Sequence, residues 1–176
     1  MNRASDAGRN GRVAQIRDRD RLQPALLDRL IDTEPDQSAE SEASRVISRV
    51  QLREAVLRDL TWLLNSVQPP SIDPAVYPEA ACSVLNFGLP PLSGTQISTL
   101  EVATLEQNIR KAIVAFEPRI LPDSLRVRAV DSESILDAHN QIFIELSGLL
   151  WSQPIPLEFL IRTRLDLESG QATLAE

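Results

Sequence analysis

An α+β fold is the class this chain predicts: two main helices packed on a three-stranded antiparallel sheet, behind a flexible N-terminal segment. Three observations carry it. Apolar residues recur at helical spacing across residues 48–65 and again across 98–116. After Pro122 the period changes to two. The first 45 residues hold too few apolar side chains to build a core. The expected division is therefore a polar extension over 1–45 carrying a short docking helix, a domain over 46–168, and a frayed tail over 169–176.

The extension has segregated charge. Arg3, Arg9, Arg12, Arg17, Arg19 and Arg21 make its start basic, and Asp28, Asp32, Glu34, Asp36, Glu40 and Glu42 make the next stretch acidic. Within it, Leu26, Leu27, Leu30 and Ile31 form one short apolar face between Leu22 and Ile31. With no local cover, such a face is expected to order only against a partner or against the chain's own domain.

The domain opens at Ser48, whose spacing to Gln51 reads as a capping box. Leu52, Val56, Leu60, Leu63 and Leu64 then continue one helical stripe to about Asn65. Pro69, Pro70, Pro74 and Pro78 impose an irregular connection. Residues Ser83 to Leu89 suit a short helix closed by Gly88 as a left-handed cap. Ser98 and Glu101 form a second capping box, ahead of the stripe Val102, Leu105, Ile109, Ile113 and Phe116.

Three strands follow. Leu125, Val127 and Ala129 alternate with Arg126 and Arg128. Ile142, Ile144 and Leu146 alternate with Gln141, Phe143 and Glu145. Leu157, Phe159, Ile161, Thr163 and Leu165 alternate with Glu158, Leu160, Arg162 and Arg164. Short turns between them imply a meander with one polar face. Such a sheet has two edges, and Arg162, Arg164 and Asp166 on the last of these strands suit protection of one of them by charge.

Composition excludes several functions. A net charge of −7 argues against a general nucleic-acid or anionic-membrane binder. One cysteine, Cys82, leaves no internal disulfide and fits a reducing compartment. No apolar run approaches the ~20 residues of a membrane span, and the arginine-rich start lacks the apolar segment of a secretory signal. His139 is the sole histidine, and a lone turn histidine is solvated more often than catalytic. One histidine and one cysteine do not make a structural zinc site, and no phosphate-binding glycine loop is present. Asp131, Glu133 and Asp137 cluster between strands but lack the glycine-containing calcium-loop pattern. No cofactor and no metal is expected.

Glu117-Pro118-Arg119 is the most informative group. A glutamate at a helix C-terminus faces the negative end of the macrodipole, proline stops the helix, and arginine presents a rigid donor fork. The bland account is a surface ion pair worth about 0–1 kcal/mol. The alternative is a docking element, in which case Glu117→Ala and Arg119→Ala are expected to harm assembly far more than folding, exposed polar changes being worth about 0.5 kcal/mol.

Four segments occur in order: Leu27-Asp28-Arg29-Leu30 before Glu34-Pro35, Arg58-Asp59-Leu60-Thr61-Trp62-Leu63-Leu64-Asn65, Ser83-Val84-Leu85-Asn86-Phe87-Gly88-Leu89-Pro90, and Phe116-Glu117-Pro118-Arg119. Together they resemble the TssE family of type VI secretion baseplate subunits, grouped with the phage baseplate wedge proteins called lysozyme-like. The resemblance runs from about Leu22 to the final strand. It implies a non-catalytic structural subunit in a cytoplasmic baseplate docked at the inner membrane. The implied wedge partners are TssF, TssG and TssK, and the implied sheath partners are TssB and TssC, whose assembly it would seed by strand exchange. It further implies partner-binding roles for Glu117, Pro118 and Arg119, for the helix bearing Leu26, Leu27, Asp28, Arg29 and Leu30, and for the last of the three strands with Arg162 and Arg164, as an edge that pairs with a sheath strand. A peptidoglycan hydrolase in the same machine is the alternative; the missing export signal and the want of a motif-bearing acid pair weigh against it.

Overall fold

A computed structural model describes residues 25–30, 47–72, 75–92, 102–130, 141–152 and 155–175. In order, the elements are α1 (Leu26–Leu30), α2 (Arg49–Asn65), α3 (Pro78–Ala81), a 3-10 turn (Val84–Asn86), α4 (Val102–Phe116), β1 (Arg126–Val130), β2 (Gln141–Leu150), β3 (Leu157–Asp166) and β4 (Ala172–Ala175). The class is α+β, as the periodicity predicts.

The capping box forms as read. Gln51 N–H donates to Ser48 Oγ at 3.2 Å, and Ser48 N–H donates to Gln51 Oε1 at 2.9 Å. It starts α2, which buries Leu52, Val56, Leu60, Leu63 and Leu64. The second box, the carboxylates around Asp131 and His139 all lie outside the described residues. The helix expected over Ser83 to Leu89 is instead two shorter pieces, α3 and the 3-10 turn. Pro78 sits at the first position of α3, where its missing N–H is not needed.

The sheet differs from expectation at its end. It has four antiparallel strands in the order β1-β2-β3-β4, not three. The supposed frayed tail holds β4, with Ala172 buried and Gly170 taking a positive φ of 72° in the turn before it. Four residues are too short for periodicity to register, so β4 left no signal. Its presence makes β3 an internal strand, with Arg162 opposite Ala175 and Thr163 opposite Leu174. A partner strand therefore cannot enter along β3, and the edge expected there is not formed. Among the described residues, the edges are β1 and β4.

Both main helices cover the inner face. α4 packs along β1, α2 packs along β4, and the two touch each other. Between them and the sheet lies one continuous core built from Leu60, Leu63, Leu105, Ile109, Ile113, Ile144, Leu146 and Leu165 among others. The outer face carries Arg126, Arg128, Glu145, Arg162 and Arg164, as the alternation requires.

A short parallel bridge ties the chain after the 3-10 turn to the end of α2. Leu89 N–H donates to the Ser66 carbonyl and Gln68 N–H to the Leu89 carbonyl, both at 2.8 Å. Gly88 makes this approach possible. Its φ is 121°, and a Cβ there would lie 2.3 Å from the Ser66 carbonyl oxygen. Gly88→Ala should therefore destabilise the domain by at least about 1–3 kcal/mol, the scale of one strained backbone position. A urea denaturation midpoint measures it, with the slope unchanged.

Candidate functional site: an ionic core under an apolar groove

The Glu117-Pro118-Arg119 backbone is held from both sides. Glu117 N–H makes the last bond of α4, to the Ile113 carbonyl at 2.8 Å, and proline forbids continuation. The chain then turns, with Ile120 N–H on the Glu117 carbonyl at 3.2 Å. Beyond the turn it pairs with the end of β2: Trp151 N–H donates to the Arg119 carbonyl at 2.7 Å, and Leu121 N–H to the Leu149 carbonyl at 2.9 Å. The tripeptide is thus a fixed corner between helix and sheet.

Its charges point inward. Glu117 is 3% exposed. Arg119 Nε donates to Glu117 Oε1 at 2.6 Å, and Arg119 Nη2 donates to Glu117 Oε2, a bidentate pair. Arg119 N–H adds a third bond to Glu117 Oε1 at 3.2 Å. Arg119 Nη2 also reaches Asp59 Oδ2 on α2. Asp59 Oδ1 accepts from Arg58 Nε at 2.9 Å, and Arg58 Nη1 donates to Asp28 Oδ1 on α1. The order is Glu117, Arg119, Asp59, Arg58, Asp28, alternating in sign. Burial opposes the Arg119 charge, but Glu117 and then Asp59 outweigh it and hold the guanidinium pKa above its ordinary value. At Arg58 the Asp28 hydrogen bond is the largest influence, and against burial the pKa is again raised.

The surface ion pair is therefore a correct pairing in the wrong place. It is a partly buried link from the α4 corner to α2: the expectation of an exposed pair fails at Glu117, which is buried, while Arg119 and Asp59 keep about a quarter of their side-chain surface exposed. Sequence separation hid this, because Asp59 lies sixty residues from Arg119.

A groove of about 530 Å³ opens over the ionic core. Ala25 and Leu27 of the α1 segment, Trp62 and Leu63 of α2, Phe87, Phe116 and Pro118 line it together with Asp59, Glu117 and Arg119. Phe87 meets Phe116 edge to face, ring centroids 5.3 Å apart. The Arg58 guanidinium lies over the half-exposed Trp62 ring at 5.1 Å, a cation–π contact. α1 rests on this wall through Asp28, leaving Leu26 and Leu30 about 70% exposed. Arg29 lies in α1 between them.

The structure thus brings Leu27, Asp28, Glu117, Pro118 and Arg119 to one place. It puts Arg162 and Arg164 elsewhere, on the outer sheet face. Arg58, Asp59 and Trp62 complete the site and were not singled out as site residues. Their signal was the Arg58-Asp59 pair followed by Trp62 in the second half of α2. Cys82 is exposed and free. Among the described residues, no group of three metal-ligating side chains forms, and no helix is long and apolar enough to cross a membrane.

Arg119→Ala should destabilise the domain by about 3–5 kcal/mol, since it strands a buried carboxylate. Glu117→Ala should have a smaller effect, because Arg119 keeps Asp59; paired chemical denaturation curves measure both. Asp28→Asn should change global stability by no more than about 1 kcal/mol, as a part-exposed pair does. It should nonetheless speed amide exchange across Leu26–Leu30, read by mass spectrometry.

Comparison with known proteins now bears on this site. No curated protein and no solved structure matches the chain. The family model described as baseplate wedge protein gp25 matches residues 50–155, a span that includes Arg58, Asp59, Trp62 and the whole Glu117-Pro118-Arg119 corner. A match over more than half of the chain, on the segment that builds the ionic core and its groove, places this protein in the baseplate wedge protein gp25 family.

Proposed function

We propose that this wedge-family protein is the TssE-like subunit of a type VI secretion baseplate, acting in the cytoplasm at the inner membrane. In this reading it joins TssF, TssG and TssK in the wedge and seeds the sheath of TssB and TssC. It works by shape and contact rather than by catalysis, and it uses no cofactor. One observation carries the reading: the family-matched segment folds into a rigid ionic corner whose outer wall is apolar. A groove lined by Leu27, Trp62, Phe87, Phe116 and Pro118, beside the exposed Leu26 and Leu30, has the composition of an interface core. The buried charges beneath it hold that wall in one shape before a partner arrives, which lowers the ordering cost of association.

The test is co-purification. Affinity-tagged protein expressed with its neighbours should bring down TssF and TssG, and Trp62→Ala should weaken that capture at least about tenfold, as loss of a central aromatic anchor does. Normal capture by the Trp62 variant would move the contact away from the groove. Muramidase turnover by the purified chain, lost on changing one acidic residue, would replace the structural reading with a hydrolase.

A further inference from the structure

The outer face of the sheet carries a charge opposite to that of the chain. Acidic residues outnumber basic ones by 25 to 18 in the whole sequence. On this face the balance reverses. Strand register places Arg128, Glu145 and Arg162 side by side across β1, β2 and β3. Arg126 stands one step along β1, and Arg164 stands one step the other way along β3. The four arginines therefore form a parallelogram centred on Glu145. Strands lie ~4.8 Å apart and same-face residues ~6.6 Å apart along a strand, so one bound segment can reach all four.

All four arginines are exposed, Arg162 keeping 68% of its side-chain surface. Among the described residues, the one ion pair they make is Arg162 Nε to Glu145 Oε2, a loose 3.5 Å. The other carboxylates of the face stand at its margins. Glu158 lies opposite Leu149, toward the β2–β3 turn, and Asp166 Oδ1 accepts the Glu168 and Ser169 N–H groups in the turn to β4. An apolar centre adjoins the charges. Val130 stands opposite Phe143, and Phe143 opposite Arg164. Val130 and Phe143 are 44% and 38% exposed. A merely solvated face would match its charges across strands. This one leaves three arginines without a carboxylate and sets an aromatic ring beside them.

We propose that this face, built on Arg128, Phe143, Arg162 and Arg164, docks an acidic segment of a partner protein that carries an apolar side chain. Charge complementarity selects the occupant, since arginine forks take carboxylates bidentately. Isolated exposed pairs contribute little, so the apolar contact at Val130 and Phe143 supplies the desolvated centre around which they strengthen. Glu145 separates this occupant from other anions. A peptide can set an uncharged residue over that carboxylate, whereas a phosphate backbone presents charge at every step. This inference rests on the reading of the chain as an assembly subunit and adds a contact on the sheet face that the helices leave open.

The probe is a capped ten-residue peptide, Glu-Asp-Glu-Leu-Glu-Asp-Phe-Glu-Asp-Glu, titrated into the isotope-labelled full chain at low salt. The side-chain Nε–H signals of Arg128, Arg162 and Arg164 and the Phe143 ring should shift together, while the Trp62 indole stays still. A peptide with glutamine and asparagine in place of the acids should bind at least about tenfold more weakly. Serine in place of leucine and phenylalanine should weaken binding about threefold or more. Arg128→Gln combined with Arg164→Gln should weaken the acidic peptide at least about tenfold. Arg49→Gln combined with Arg53→Gln, an equal loss of exposed charge on α2, should leave binding within about twofold. Absence of binding, equal binding of the neutral peptide, equal losses in the two double variants, or shifts confined to the groove would overturn the proposal. So would tighter binding of a ten-nucleotide oligothymidine, or Arg128-dependent flotation with phosphatidylglycerol vesicles, which would make the face a nucleic-acid or a membrane surface. If the sheet variant fails to fold, the peptide series on the unaltered chain still decides. A chain that co-purifies with TssF and TssG yet ignores the peptide sinks this inference and leaves the baseplate reading standing.

Discussion

Everything in the helix layer turns on the buried bond between Glu117 and Arg119. It joins three parts of the chain: the end of α4, the end of β2 through the Arg119 carbonyl, and α2 through Asp59. A charged pair is a costly way to fill such a corner, since desolvation offsets much of the attraction. It has one property that an apolar plug lacks. A planar guanidinium accepts carboxylates only along fixed directions, so the pair sets an angle as well as a distance. The proline between the two charges holds the turn that lets both face inward.

That angle matters because the groove wall is assembled from distant pieces. Trp62 belongs to α2, Phe116 and Pro118 to the end of α4, Phe87 to the connection that Gly88 draws against α2, and Leu27 to α1. None of these is placed by a common strand or helix. The ionic series from Glu117 to Asp28 runs beneath all but Phe87, and the Phe87–Phe116 ring contact brings that residue in. Rigidity below and apolarity above suit a part that must be the same in every copy of a repeated machine, which is how the gp25 family membership and the geometry meet.

The sheet obeys a complementary constraint. An open edge is a hazard in a free protein and an asset in a polymerising one. Among the described residues, Glu106 of α4 takes the Ala129 N–H of β1, and the Asn65 amide takes both the N–H and the carbonyl of Ala172 in β4.

Periodicity made most of this fold legible. The helical stripes of α2 and α4, the Ser48 capping box and the alternating faces of β1 to β3 are local properties, set by residues within a few positions of one another. So was the stop at Pro118. Four ordered segments in the sequence already point to the wedge family. What sequence alone did not reveal was non-local or short. β4 is too brief to show a period, and it exists because β3 offers it a ladder and Asn65 caps it from 107 residues away. The inward turn of Glu117 and Arg119 depended on Asp59 standing across from them on another helix. An isolated charged tripeptide reads as surface because charge is normally solvated. Only the tertiary arrangement brings together enough opposite charge to keep it inside.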